Sequence, residues 1–276
     1  PRSPPMNPQA LQRFINATHR HPALPRVYCL GDSWFQLPLK PVDLHQQLRG
    51  LFAGEAIFAN NAVPGRTTAE IKRQFPALQR HLGALEIDVL LVSMGGNDIA
   101  GHELAEYLKR PDEPQNRGPY TAAVPALVER HVRLATFASA MTTLEEDFQR
   151  VIDIRDKVRP ACPVVLHTYA YPMPNGRRAT RLGGIFKAGP WLKPHLVAAG
   201  LTTLGDKKAL MRWLVDEFHA RLEGLAARNR GVVVVDSRRA VKDSEWSDEI
   251  HPTDAGYERI AREYWQPVLM AIFEGL

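Results

Sequence analysis

A chain of 276 residues, 45% hydrophobic and 24% charged, can bury one sizeable α/β core and needs neither disulfides nor a metal to hold it. Its 35 lysines and arginines against 30 acidic residues leave a formal charge of +5 spread along the chain. The densest groups, Arg177-Arg178-Arg181 and Arg228-Arg230-Arg238-Arg239, lack interleaved aromatics, which argues against nucleic-acid binding; no run of roughly 18 apolar residues occurs, which excludes a membrane-spanning helix.

Residues 1–25 are rich in proline and polar side chains around a short helical pattern at Leu11–Ile15, and read as an N-terminal arm before a domain over 26–276. The start, Pro1-Arg2-Ser3-Pro4-Pro5, has no hydrophobic signal core and no initiator Met. Cys29 and Cys162, each at or beside an apolar run, are expected as buried free thiols. They suit a reducing, cytoplasmic setting, with secretion the alternative if a signal peptide preceded this start.

From residue 26 a pattern repeats. Apolar runs at Val27–Leu30, Ala56–Ala59, Val89–Val92, Val164–Leu166 and Val232–Val235 are each followed by turn residues and helix-period sequence. Near-continuous Val/Ile/Leu runs between amphipathic helices are what a parallel sheet covered on both faces requires. The expected fold is α/β: a three-layer α/β/α sandwich with a doubly wound, five-stranded parallel sheet in the flavodoxin-like order 2-1-3-4-5.

Thr67-Thr68-Ala69-Glu70 makes a capping box, after which Ile71, Phe75, Leu78 and Leu82 share one face. Pro76 conflicts with an unbroken helix, so a kink or restart is expected there. The last helix is expected to start near Thr253 and bury Tyr257, Ile260, Tyr264 and Val268. Helical insertions at about 101–147 and 170–205 follow carboxyl ends of strands, where ligands bind in such folds, and read either as lids and substrate walls or as extra packing.

Four turns carry candidate chemistry. Gly31-Asp32-Ser33 places a serine hydroxyl above the end of the first strand. Asn60-Asn61-Ala62-Val63-Pro64-Gly65 follows the second, where Gly65 lets a backbone N–H approach an oxyanion. Ser93-Met94-Gly95-Gly96-Asn97-Asp98 follows the third and offers the Asn97 amide. Asp248-Glu249-Ile250-His251-Pro252 follows the fifth; a carboxylate three residues before a histidine can hold the imidazole through Nδ1–H and leave Nε2 to take a serine proton. Asp243, Glu249 and Asp254 are nearby acidic alternatives.

In this order the four segments resemble the signature blocks of the SGNH (GDSL-like) hydrolase superfamily: Ser33, Gly65, Asn97 and His251. The resemblance spans about residues 26–262, closely only in the blocks. It implies a serine ester hydrolase with Ser33 as nucleophile, His251 as general base and acid, and Asp248, alone at the family's spacing, as the orienting acid. It also implies an oxyanion hole of the Ser33 N–H, the Gly65 N–H and the Asn97 side chain. No metal or organic cofactor is implied. The expected partner is a small-molecule, lipid or carbohydrate ester; an acyltransferase using the same triad, or a non-catalytic binding protein on the same fold, are the alternatives.

Trp34 and Phe35, directly after the serine, depart from the family's small or polar residues and suggest a narrowed pocket or an apolar wall, or simple core packing. Tyr169, Tyr171 and Trp191 fit such a wall equally well as packing, and His102 lies close enough to the Asn97 loop to touch substrate. His167 reads as a core histidine. No metal-ligand spacing and no glycine-rich nucleotide loop occurs.

Overall fold

The computed structural model describes residues 7–38, 41–114, 120, 124–181 and 186–276. The strands are β1 (Arg26–Gly31), β2 (Ile57–Asn60), β3 (Val89–Ser93), β4 (Val164–Thr168), a two-stranded hairpin of β5 (Ala179–Arg181) and β6 (Phe186–Ala188), and β7 (Val232–Asp236). The five main strands are all parallel, in the order β2-β1-β3-β4-β7, which is 2-1-3-4-5 counted along the chain. Each expected apolar run lies on one of these strands, shifted by a residue or two at its ends. In β1, β3 and β4 the valines and leucines are fully buried on both faces; at roughly 1.5–3 kcal/mol for each buried aliphatic side chain, these runs anchor the core.

Helices cover both faces of the sheet. On one lie α4 (Phe75–Ala84), α8 (Leu134–Val158) and α10 (Leu204–Arg228); on the other α2 (Leu44–Leu51) packs against the carboxyl-terminal helical stretch. The segment read as an arm carries α1 (Pro8–Arg20), longer than the pattern at Leu11–Ile15; Asn7 caps it by accepting from the Gln9 N–H at 2.9 Å, and α1 rests on β2 with Phe14 buried. Cys29 and Cys162 are buried free thiols, and β3 lies between β1, which carries Cys29, and β4, which Cys162 precedes.

Proline explains two helix breaks. After Thr67, whose N–H donates to Glu70 at 3.3 Å, the chain makes α3 (Thr68–Ile71) and a 3-10 turn (Lys72–Gln74), then restarts as α4 with Pro76 in its first turn. At the other end, α11 (Asp254–Arg259) opens into a π-helical turn (Ile260–Trp265) before α12 (Gln266–Glu274) begins with Pro267 in its first turn. Pro267 has no N–H, and its ring crowds the carbonyl four residues back, at Glu263; the widened turn relieves both. It also rotates the buried face by one residue. Tyr257 and Ile260 are buried as expected, but Trp265 and Leu269 take the places expected for Tyr264 and Val268.

The first insertion contributes α5 (Gly96–Ala100), α6 (Leu104–Tyr107) and α7 (Ala126–His131), the last lying against α10. The Tyr107, Phe137 and Trp213 rings pack in series, with centroids 5.4 and 5.6 Å apart. The second insertion includes the β5/β6 hairpin and α9 (Lys193–Ala198). No helix among the described residues is long and apolar enough to cross a membrane.

Candidate active site

Because all five strands run the same way, the turns after β1, β2, β3 and β7 gather at one edge of the sheet. There the Ser33 Oγ lies 2.9 Å from His251 Nε2, and His251 Nδ1 lies 2.8 Å from Asp248 Oδ2. The other Asp248 oxygen, Oδ1, accepts the backbone N–H groups of Ile250 and His251, each at 2.8 Å. Burial pushes the Asp248 carboxyl up, but the hydrogen bond and charge of His251 and those two N–H groups outweigh it and hold the group below the ordinary carboxylate range. An ionised Asp248 accepting at Nδ1 fixes the proton on that nitrogen, so Nε2 presents its lone pair to the serine hydroxyl. Ser33 and His251 are only 7% and 5% exposed, so little of either is open to solvent.

The alternative acids are occupied elsewhere. Asp243 pairs with Lys208 at 2.5 Å, and Asp254 accepts the Val42 N–H at 2.6 Å. Glu249 is wholly buried and points away from the imidazole, accepting the N–H groups of Gly176 (2.8 Å), Leu192 (2.7 Å) and Lys193 (3.0 Å). It thereby ties the second insertion to the loop carrying Asp248 and His251. The Met173 N–H, donating to the Glu249 carbonyl at 2.9 Å, adds a further tie.

The second and third turns are stitched together. Gly65 takes φ +68°, a left-handed conformation that suits glycine. Asn97 Nδ2 donates to the Arg66 carbonyl at 2.9 Å, which fixes the amide plane and leaves its second N–H for a ligand. Asp98 Oδ2 accepts both the N–H and the hydroxyl of Thr68, at 2.9 and 3.0 Å. Burial, partly opposed by those two bonds and reinforced by Glu103 and Asp32, pushes the Asp98 carboxyl up to about 6. The folded protein therefore holds a proton that the unfolded chain, with a carboxyl near 3.9, releases; this group's contribution is favourable at low pH and is lost as pH rises from about 4 to 6. An Asp98→Asn variant keeps one oxygen for both Thr68 bonds and loses the penalty. It is expected to exceed the parent's stability by about 2 kcal/mol at pH 7.5 and by much less at pH 4.5. Thermal melts at the two pH values check this; a pH-independent gap contradicts it.

Beneath Ser33 lies a buried network whose members, Trp34 and Tyr169 apart, do not stand out in the sequence as site residues. Asp32 accepts the Trp34 N–H (3.0 Å), the Ser93 hydroxyl (2.8 Å) and the Tyr169 hydroxyl (2.6 Å). With its own proton given to Asp32, Ser93 Oγ accepts from His167 Nε2 at 2.9 Å. His167 is thus a core histidine with only one nitrogen partnered, and burial drives its pKa down to about 3. Asp32 is also pushed up by burial, against the pull of its three hydrogen bonds and of His251. Gly-Asp-Ser reads as ordinary turn chemistry; only the register of β1 against β3, which pairs Gly31 with Ser93, turns Asp32 into the acceptor of a buried cluster.

A pocket opens beside Ser33 toward Asn97 and Tyr169, and Trp34 forms part of its wall. Phe35 does not. It is fully buried, stacked 5.8 Å from His167 and edge-on to Trp265, because the turn after Ser33 directs it into the core. His102 is exposed, 6.3 Å from the His195 ring and outside the pocket wall. Tyr171 also lies outside it, donating to Asp216 at 2.6 Å beneath the Arg212 guanidinium, and so does Trp191. The residues the second insertion does contribute to the wall are Ala170 and Pro172. Among the described residues no three His, Cys, Asp or Glu side chains are placed to hold a metal ion.

The sequence profile of the GDSL-like lipase/acylhydrolase family matches residues 29–259, a span that contains all four turns and the five-stranded sheet except the first three residues of β1. The chain belongs to this family. As a GDSL-like acylhydrolase it is an enzyme of ester hydrolysis in the general sense. Solved structures share its fold at low sequence identity. The lipase Lip_vut3 from a goat rumen metagenome matches with a TM-score of 0.57 at 16% identity, over 90% of this chain and 97% of that one. A carbohydrate esterase of family 3 from Talaromyces cellulolyticus matches with 0.53 at 12%, over 92% and 100%. An extracellular lipase from Streptomyces rimosus matches with 0.50 at 17%, over 90% and 99%. No curated protein sequence matches the chain.

Proposed function

We propose that this GDSL-like hydrolase cleaves a carboxylic ester through an acyl-enzyme on Ser33. What supports the reading is the continuous relay from Ser33 Oγ through His251 to Asp248, with contacts of 2.9 and 2.8 Å. Ser33 Oγ attacks the ester carbonyl as His251 Nε2 takes its proton. The tetrahedral oxyanion is met by the N–H groups of Ser33 and Gly65 and by the free Asn97 N–H. His251 then gives the proton to the departing alcohol oxygen, leaving the acyl group on Ser33. Water, deprotonated by the same imidazole, attacks the acyl-enzyme, and the returning proton restores the Ser33 hydroxyl as the acid leaves. Asp248 stays ionised throughout and stabilises the imidazolium.

Two measurements test this. Replacing Asn97 by alanine is expected to lower kcat on a nitrophenyl ester by about 10² to 10³, with a smaller change in KM; a loss below about tenfold removes Asn97 from the oxyanion hole. Product analysis in dilute alcohol is expected to show acid release well above new ester. Ester formation rivalling acid release identifies an acyltransferase instead.

A further inference from the structure

The pocket beside Ser33 has a volume of only about 40 Å³, well below the roughly 150 Å³ of an engineered cavity that admits benzene. Its wall includes Asn97, Trp34, Tyr169, Ile99 and Val215, but neither His251 nor Asp248. On the acyl-enzyme reading above, the leaving alcohol must lie within reach of His251 Nε2. The group that enters the pocket on the Asn97 and Tyr169 side is therefore the acyl chain.

The wall is built so that it cannot readily give way. The Tyr169 hydroxyl is held by Asp32 at 2.6 Å. Its ring meets Trp34 edge-on with centroids 5.0 Å apart and stacks on Phe218 at 6.0 Å. The ring also lies so close over Gly96 that a Cβ there would stand 2.7 Å from Tyr169 Cζ. Swinging Tyr169 aside would strip a fully buried carboxylate of a hydrogen bond and break this packing. Trp34 is fixed likewise, its Nε1–H donating to the Ile250 carbonyl at 3.2 Å.

We infer that the enzyme is selective for short acyl groups, acetyl to butyryl, with Tyr169, Trp34 and Val215 setting the limit. The inference rests on the Ser33 acyl-enzyme, so the test separates the two. A series of nitrophenyl acetate, butyrate, hexanoate and octanoate keeps the leaving alcohol constant, and fluorophosphonate labelling of Ser33 is measured alongside. The expected result is a kcat/KM for octanoate at least about tenfold below the best short ester. Val215→Ala, which opens the pocket by two methyl groups, is expected to raise hexanoate relative to butyrate by about threefold or more. Ala100→Val, on the same wall, is expected to lower butyrate relative to acetate by a similar factor. Octanoate within tenfold of the best ester, with Ser33 labelled, overturns the length limit alone. No ester turned over and no label on Ser33 overturns the acyl-enzyme and the limit together.

Discussion

A Ser33→Ala variant is expected to fold as the parent does and to lose turnover of a nitrophenyl ester by on the order of 10⁵, about 7 kcal/mol of transition-state stabilisation. Ser33 is nearly buried and, among the described residues, its hydroxyl hydrogen-bonds only with His251, so its removal leaves a neutral imidazole facing a small gap and little structural cost. Hydrogen-bond donors that do not depend on the hydroxyl, the Gly65 N–H and the Asn97 amide, remain and account for a small residual rate. Kinetics with an active-site-directed inhibitor control, and circular dichroism to confirm folding, measure both halves. Activity within about a hundredfold of the parent contradicts Ser33 as nucleophile.

The second large effect is expected from Asp248→Asn, at about 10⁴ in kcat near neutral pH. The carbonyl oxygen of asparagine still accepts from Ile250 and His251, which now hold Oδ1, so the loop keeps its shape. The amide nitrogen then faces His251 Nδ1 and donates to it. That forces the imidazole proton onto Nε2, where no lone pair remains to receive the Ser33 proton. Stability reports the same group differently. Since the folded protein holds Asp248 below its unfolded value of roughly 3.9, the ionised carboxylate stabilises the fold above that pH, and the contribution fades as pH falls through the folded value. The variant is expected to lack that acid-side loss. A kcat within tenfold of the parent contradicts the orienting role.

The sheet and its order were legible because β1, β3 and β4 are buried on both faces and so are written as unbroken apolar runs. Ser33, Gly65 and Asn97 stand out for a related reason, each sitting two to five residues past the end of a strand, where parallel topology gathers the loop ends. Asp248 and His251, by contrast, lie 12 and 15 residues past β7 and stand out only by their spacing to each other and their resemblance to the family's block. The Glu70 capping box and Pro76 also announce their helix start and break. What the sequence conceals is what depends on long-range register. The π turn ahead of Pro267 shifts a helical face by one residue, so the 3.6-residue period misplaces Tyr264 and Val268. Glu249 has the composition of a triad alternative, yet it serves backbone N–H groups 56 to 73 residues away. Aromatics after a nucleophile look alike in one dimension; Trp34 reaches the pocket while Phe35, its neighbour, points into the core. Tyr169 gains its fixed orientation from Asp32, 137 residues earlier.

The central claim is that His251 and Asp248 make Ser33 an activated nucleophile. Reaction of the folded protein with a small fluorophosphonate, followed by mass spectrometry of its peptides, tests it most directly. One stoichiometric adduct is expected, on Ser33, forming far more slowly in Asp248→Asn. An unlabelled Ser33 in folded protein, or an adduct on another residue, contradicts it.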